Sequence, residues 1–170
     1  LLSLVRERPE VFERTDKILL TPDLLGYFLT GEKHAEFSIA STTQLMDAYT
    51  GNWSKEVLEA LGIPERILPE IIPCGTKAGK VTKAIREELG LEGDIDVIAV
   101  AGHDTQSAMV SVPTQEKDFI FMSCGTWSLF GTELDKPLIN ETSSRLDITN
   151  ESGYGVHQLR GGSDGKFRVF

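Results

Sequence analysis

The run Ile95-Asp96-Val97-Ile98-Ala99-Val100-Ala101, followed at once by Gly102-His103-Asp104-Thr105, constrains this chain more than any other stretch. It is short, apolar and rich in branched side chains, so it reads as a buried strand over 95–101, and residues 105–112 read as the helix that follows. Strand, tight turn and helix in that order make an open α/β sheet, which takes ligands outside the carboxyl ends of its strands. The class is α/β, and Asp104 stands where a ligand would be met. With 40% hydrophobic residues among 170, the chain has the material for a core in one ordinary domain or in parts of two.

The flanking pattern is mostly helical before this unit and strand-like after it. Leu1, Leu4 and Val5 share a helical face, which Val11 and Phe12 continue beyond Pro9. Over residues 21–30 the pattern predicts a helix capped by Thr21, with Pro22 in its first turn and Leu24, Leu25, Phe28 and Leu29 on its buried face. Gly31 would end it in the left-handed conformation. Asp47 to Trp53 reads as a turn anchored by Trp53. Ser54 caps a helix to about Leu61, which Gly62 and Pro64 stop. Pro69, Pro73, Gly75 and Gly79 mark 67–79 as an extended surface crossing, and Thr82 opens a helix with Ile85 and Leu89 inward and Gly90 at its end. After Pro113, residues 119–123 and 127–132 read as two strands of a hairpin joined at Cys124-Gly125-Thr126. A domain boundary is expected near Pro113, dividing the chain into 1–113 and 114–170. The last twenty residues, including Gly153, Gly155, Gly161, Gly162 and Gly165, read as loop.

Charge and cysteine usage exclude several classes. Twenty-six acidic against 17 basic residues give a net charge of -9, which repels a phosphate backbone, so nucleic acid is not an expected partner. Cys74 and Cys124 make no disulfide framework, and with three scattered histidines they show no metal-ligand spacing. No apolar run reaches the length of a membrane span, and the first residues lack the features of a signal peptide; a reducing cytoplasm is the expected setting. The absence of an initiator methionine and the ending on Lys166-Phe167-Arg168-Val169-Phe170 suggest an internal piece of a longer protein.

Two strings carry possible chemistry. In Ala101-Gly102-His103-Asp104-Thr105, Asp104 has two readings: a cap of the following helix, or a general base that orients a substrate hydroxyl and takes its proton as a phosphoryl group arrives. His103 is a hydrogen-bonding group beside it or half of a metal-binding His-Asp pair, for which His34 and His157 supply no further ligand pattern. Thr105 offers a hydroxyl on the first helical turn. In Ser123-Cys124-Gly125-Thr126-Trp127-Ser128, the glycine is an ordinary hairpin turn or a place where backbone N–H groups approach a phosphate. Cys124 reads as a small buried thiol rather than a nucleophile, since no histidine is placed to activate it. Trp53 and Trp127 read as packing anchors, with sugar stacking by Trp127 an alternative.

Taken together, residues 94–108 and 121–133 resemble the FGGY carbohydrate kinases, and within them the branch that acts on L-rhamnulose. Three upstream pieces, 18–31, 40–45 and 52–54, agree with the same family. The resemblance implies a ribonuclease-H-like fold of the actin, hexokinase and chaperone-ATPase superfamily, here a partial two-domain sugar kinase. Residues 1–113 would be the later part of its N-terminal domain, and 114–170 the start of its C-terminal, ATP-binding domain. It implies ATP-dependent phosphorylation of L-rhamnulose at its primary hydroxyl, with ATP and Mg²⁺ required and the sugar and ATP as small-molecule partners. Asp104 matches the proton acceptor, with His103, Asp104 and Thr105 at the sugar and Gly125 and Thr126 at ATP.

The match has departures. The family's Asp-x-Gly phosphate hairpin and its adenosine-binding glycine motif are absent from these residues, and 156–165 is longer than usual after Asn150-Glu151-Ser152-Gly153, which resembles Asn-Glu-Gly-Gly. Positioning dominates phosphoryl transfer, so the 170 residues alone are expected to be inactive. Alternative readings are an FGGY kinase for xylulose or fuculose, or a non-catalytic sugar- or nucleotide-binding module.

Overall fold

The computed structural model describes residues 1–114, 116, 118–125, 128–152 and 167–169, apart from the side chains of 110, 152 and 167–169. Two short helices, α1 (Leu2–Glu7) and α2 (Pro9–Arg14), open the chain. Phe12 leads into a core with Leu45, Leu58, Ile63, Ile67 and Leu68, flanked by Val5, Ile18, Trp53, Val57 and Leu61. Arg66 closes the open end of α2, its guanidinium donating to the carbonyls of Phe12 and Thr15.

Helix α3 (Thr21–Thr30) carries Pro22 in its first turn and ends at Gly31 with φ 77°, as its pattern predicts. Its cap differs: Leu20 occupies that position, and Thr21 is already helical without a side-chain capping bond. Its apolar stripe differs too, since Leu25 and Phe28 are each 60% exposed and Leu29 42%. Periodicity marks a face that favours burial but does not supply the partner. Here Leu25 and Leu29 line an open groove of about 210 Å³ between α3 and the strand before Gly102.

Strand β1 (His34–Glu36) runs directly into α4 (Phe37–Ser41) and pairs in parallel with β2 (Glu70–Ile72). Between them Asp47 accepts the N–H groups of Tyr49 and Thr50, and Trp53 pins the turn by donating its indole N–H to Pro69 at 2.7 Å. Helix α5 (Lys55–Leu61) has the expected ends: Ser54 accepts the Val57 N–H, and Gly62 is left-handed. The stretch expected to cross the surface is more ordered than that. Ile67 and Leu68 are buried in the core, a 3₁₀ turn covers Glu65–Ile67, and β2 and β3 (Lys77–Lys80) follow. Gly79 allows β3 to meet α3, because a Cβ there would lie 2.9 Å from that of Thr30.

Helix α6 (Lys83–Leu89) ends at left-handed Gly90, but Leu89 is 64% exposed rather than inward. Strand β4 (Asp96–Ile98) lies inside the predicted run, yet the run is not buried: Ile98 in the strand is 49% exposed and Val100 beyond it 68%. Among the described residues β4 pairs only with β3, antiparallel, and α3 covers it in part, so no layer closes both faces. Helix α7 (Asp104–Val110) follows after the Gly102-His103 turn.

The remaining elements form a four-stranded antiparallel sheet. β5 (Ile120–Cys124) and β6 (Ser128–Leu134) make the predicted hairpin, with Cys124 opposite Ser128. After α8 (Glu141–Arg145), β7 (Asn150–Ser152) and β8 (Phe167–Val169) complete the order β5-β6-β8-β7. α7 packs on β5 and α4 on β7, which brings Glu151 of β7 to the start of α7. The last twenty residues are expected to be loop, but β8 and the end of β7 fall within them, paired in the sheet; residues 153–166 lie outside the described residues.

Candidate functional site

The site begins with a buried carboxylate. Glu36, 3% exposed at the end of β1, accepts the N–H of Ser38 at 3.0 Å and of Ile39 at 3.2 Å, capping α4, and the Ser38 hydroxyl at 2.6 Å. Its Oε2 also accepts the N–H of Gly102 at 2.9 Å, which ties the α4 cap to the turn after β4. The turn packs so closely that a Cβ on Gly102 would sit 3.1 Å from Pro22 Cβ and 3.3 Å from Ile39 Cγ2. Nothing local in the sequence marks Glu36, because its partner is distant in the chain.

The next residue continues the lattice. The His103 N–H donates to Ser38 Oγ at 3.3 Å, and its Nδ1 accepts the N–H of Thr105 at 3.1 Å, so His103 rather than Asp104 caps α7. On the other side of the ring, Nε2 lies 3.1 Å from Glu151 Oε2, which also accepts Nε2–H of the fully buried Gln106 at 3.3 Å. The Glu151 carboxylate holds the His103 imidazole above its ordinary range, against the opposing effect of burial and with smaller support from Asp104 and Glu36. Ser107 closes the turn by donating to the Ala101 carbonyl at 2.7 Å.

Against this buried frame the Asp104 side chain is fully exposed. Its Oδ1 accepts the Thr105 N–H at 2.6 Å, and Thr105 itself is 8% exposed. The arrangement is a solvated carboxylate on a turn whose neighbours are immobilised by buried hydrogen bonds. That suits a group that must meet a substrate hydroxyl and accept its proton.

The structure therefore brings His103, Asp104 and Thr105 onto one turn with Glu36, Ser38, Gln106 and Glu151 behind it. Gly125 lies elsewhere, just after β5 on the sheet that α7 packs against, and among the described residues nothing lies within 4 Å of where a Cβ would be. Thr126 and Trp127 lie outside the described residues. Cys124 is exposed rather than buried. Among the described residues no three His, Cys, Asp or Glu side chains converge on a metal position, so these residues build no metal cage of their own. Near the turn, the groove beside α3 holds Asp23, which accepts the Glu36 N–H through Oδ1; burial pushes its carboxyl up to about 6.

Comparison with known proteins supplies the context for this geometry. The model for the FGGY family of carbohydrate kinases, N-terminal domain, matches residues 1–111. A rhamnulokinase of Bacteroides thetaiotaomicron is 43% identical over 151 residues, covering 89% of this chain and 31% of the relative. A xyloylose kinase from Brucella ovis superposes with TM-score 0.80 at 22% identity, over 99% of this chain and 32% of that one. Plasmodium falciparum glycerol kinase with ADP gives TM-score 0.80 at 19% identity over the same shares. The chain thus spans about a third of the length of the proteins it matches. At such identities the structural likeness speaks for the fold alone: the chain is a partial α/β architecture shared with those two structures.

Proposed function

Because this chain belongs to the FGGY family of carbohydrate kinases, we propose that the complete protein carrying it phosphorylates L-rhamnulose at its primary hydroxyl, with ATP as donor. The observation that carries the chemistry is the exposed Asp104 carboxylate on a turn immobilised by Glu36, Ser38 and Glu151. The choice of sugar is supported by the 43% identical relative named as a rhamnulokinase.

In this reading ATP supplies the phosphoryl group and Mg²⁺ offsets phosphate charge, held mainly by phosphate oxygens and water, as magnesium commonly is. Asp104 orients the sugar hydroxyl and takes its proton as the bond from that oxygen to phosphorus forms and the bond to ADP breaks. His103 and Thr105 flank the sugar. Gly125 and Thr126 meet the nucleotide, and a glycine with no described residue within 4 Å of its Cβ position suits close approach of a phosphate.

The domain boundary near Pro113 belongs to the same proposal, with 1–113 ending the first domain and 114–170 opening the ATP-binding one. Two observations support it: the family match stops at 111, and a separate antiparallel sheet begins at Ile120. Among the described residues no helix is long and apolar enough to cross a membrane. The free thiols Cys74 and Cys124 fit a reducing, cytoplasmic setting.

The test is ADP release by the complete protein with L-rhamnulose and a panel of other ketoses, beside Asp104→Asn. Rhamnulose-selective turnover that collapses in the variant is the expected result. Selective turnover of xylulose or fuculose would correct the sugar, and turnover untouched by the variant would remove Asp104 from its role.

A further inference from the structure

We propose that Glu151 is a positioning residue for the reaction above: from β7 its carboxylate fixes the tautomer and orientation of His103, and through it the turn that presents Asp104. The inference rests on the kinase reading for its effect on activity, but not for its effect on the imidazole.

Histidine is an unusual helix cap. Its Nδ1 can accept the Thr105 N–H, 3.1 Å away, only while that nitrogen carries no proton. Glu151 provides for this. A carboxylate oxygen 3.1 Å from Nε2 selects the tautomer with hydrogen on Nε2 and leaves Nδ1 bare. The same oxygen is anchored by Gln106, one turn further along α7, so β7 grips the helix at two residues on one face. The His103 and Glu151 side chains are 15% and 16% exposed, so water competes poorly for this bond. From the opposite side Ser38 of α4 holds the His103 backbone.

Loss of the Glu151 acceptor frees the ring to carry hydrogen on Nδ1. That hydrogen would face the Thr105 N–H, with Asp104 Oδ1, 3.5 Å away, as the nearby acceptor. The His103 share of the cap would be lost, leaving the Thr105 N–H to Asp104 Oδ1 alone, and the proposed base would be drawn toward the ring. Protonation of both nitrogens has the same consequence. Three carboxylates face this equilibrium: Glu151 from β7, Asp104 from α7 and Glu36 from β1.

The experiment uses Glu151→Gln in the complete protein, with kcat and KM measured across pH and the imidazole of His103 observed by ¹⁵N NMR. Removing the negative charge is expected to move the acid limb of the kcat/KM profile to lower pH and to lower kcat about 10- to 100-fold, the range seen when a metal-bound histidine loses its outer partner. The His103 ¹⁵N titration should move in the same direction. In a His103→Asn background, where an amide oxygen can cap Thr105 without a tautomer choice, Glu151→Gln should cost far less. An acid limb and a ¹⁵N titration both unmoved by Glu151→Gln would overturn the inference, as would equal losses in the two backgrounds. If the unaltered protein phosphorylates no ketose, the kinase reading fails, while the ¹⁵N titration still decides whether Glu151 governs His103. Should Glu151→Gln not fold, Glu151→Asp tests the same point, since a shorter carboxylate must weaken the bond without removing its charge.

Discussion

Glu36 and Gly102 are 66 positions apart in sequence, yet the carboxylate of one accepts the backbone N–H of the other at 2.9 Å. The bond joins β1 and α4 to the turn that carries His103 and Asp104. The same carboxylate accepts two further N–H groups and a hydroxyl in a site only 3% exposed, so its charge is compensated by four donors. Glu36→Gln keeps the shape but turns an amide NH₂ toward some of those donors. Denaturant unfolding should show a loss of about 2–4 kcal/mol; a change within experimental error would mean that the cluster rearranges freely.

Gly102 is held by space, not by backbone sign. A methyl there would stand 3.1 Å from Pro22 Cβ, 3.3 Å from Ile39 Cγ2 and 3.4 Å from Glu36 Oε2. Gly102→Ala is expected to destabilise by about 1–3 kcal/mol through overpacking, and to disturb the Glu36 bond. Thermal melts of Gly102→Ala, Glu36→Gln and the double variant should show less than additive losses.

Asp23 makes stability depend on pH. Burial raises its carboxyl from 3.8 to about 6, and Oδ2 is buried with no hydrogen-bond partner among the described residues. A raised folded value means that its stabilising contribution is complete below about pH 4 and is lost as pH rises through 6. Asp23→Asn retains an acceptor for the Glu36 N–H without the charge. It should melt like the unaltered protein near pH 4 and be more stable at pH 7.5 by about 1–2 kcal/mol, allowing for partial solvent exposure. Equal stability of the two proteins at both pH values would count against this account.

For Asp104 the proposed chemistry carries a magnitude. Loss of a general base costs about 10²- to 10⁴-fold in rate, so Asp104→Asn should lower kcat by that order while KM for ATP changes little. Its side chain is fully exposed, so the melting temperature should hardly move. A large drop in melting temperature would instead point to a structural role.

Much of the local architecture is legible in the residues alone. Ser54 and Gly62 delimit α5, Gly31 ends α3, Trp53 anchors its turn, and the hairpin at 120–134 falls on the two runs joined at Cys124-Gly125-Thr126. His103, Asp104 and Thr105 were legible as a unit because strand, turn and helix follow one another directly. The groups behind them were not. Glu36 is one acidic residue among 26, and Glu151 stands out only within a family-like string. Neither signals a function until its distant partner is in place.

The boundary between the two kinds of information follows from range. A serine that caps an N–H three residues on, or a glycine that takes a positive φ at a helix end, acts within one turn of chain, and residue identity suffices. Burial and pairing depend on what arrives from elsewhere. Leu25, Phe28, Ile98 and Val100 carry apolar side chains at the right spacing, but only the tertiary arrangement decides whether a layer covers them. In the same way, only the fold brings Glu36 to Gly102 and Glu151 to His103. Hydrogen bonds between remote segments form only after chain entropy has been overcome by the fold as a whole.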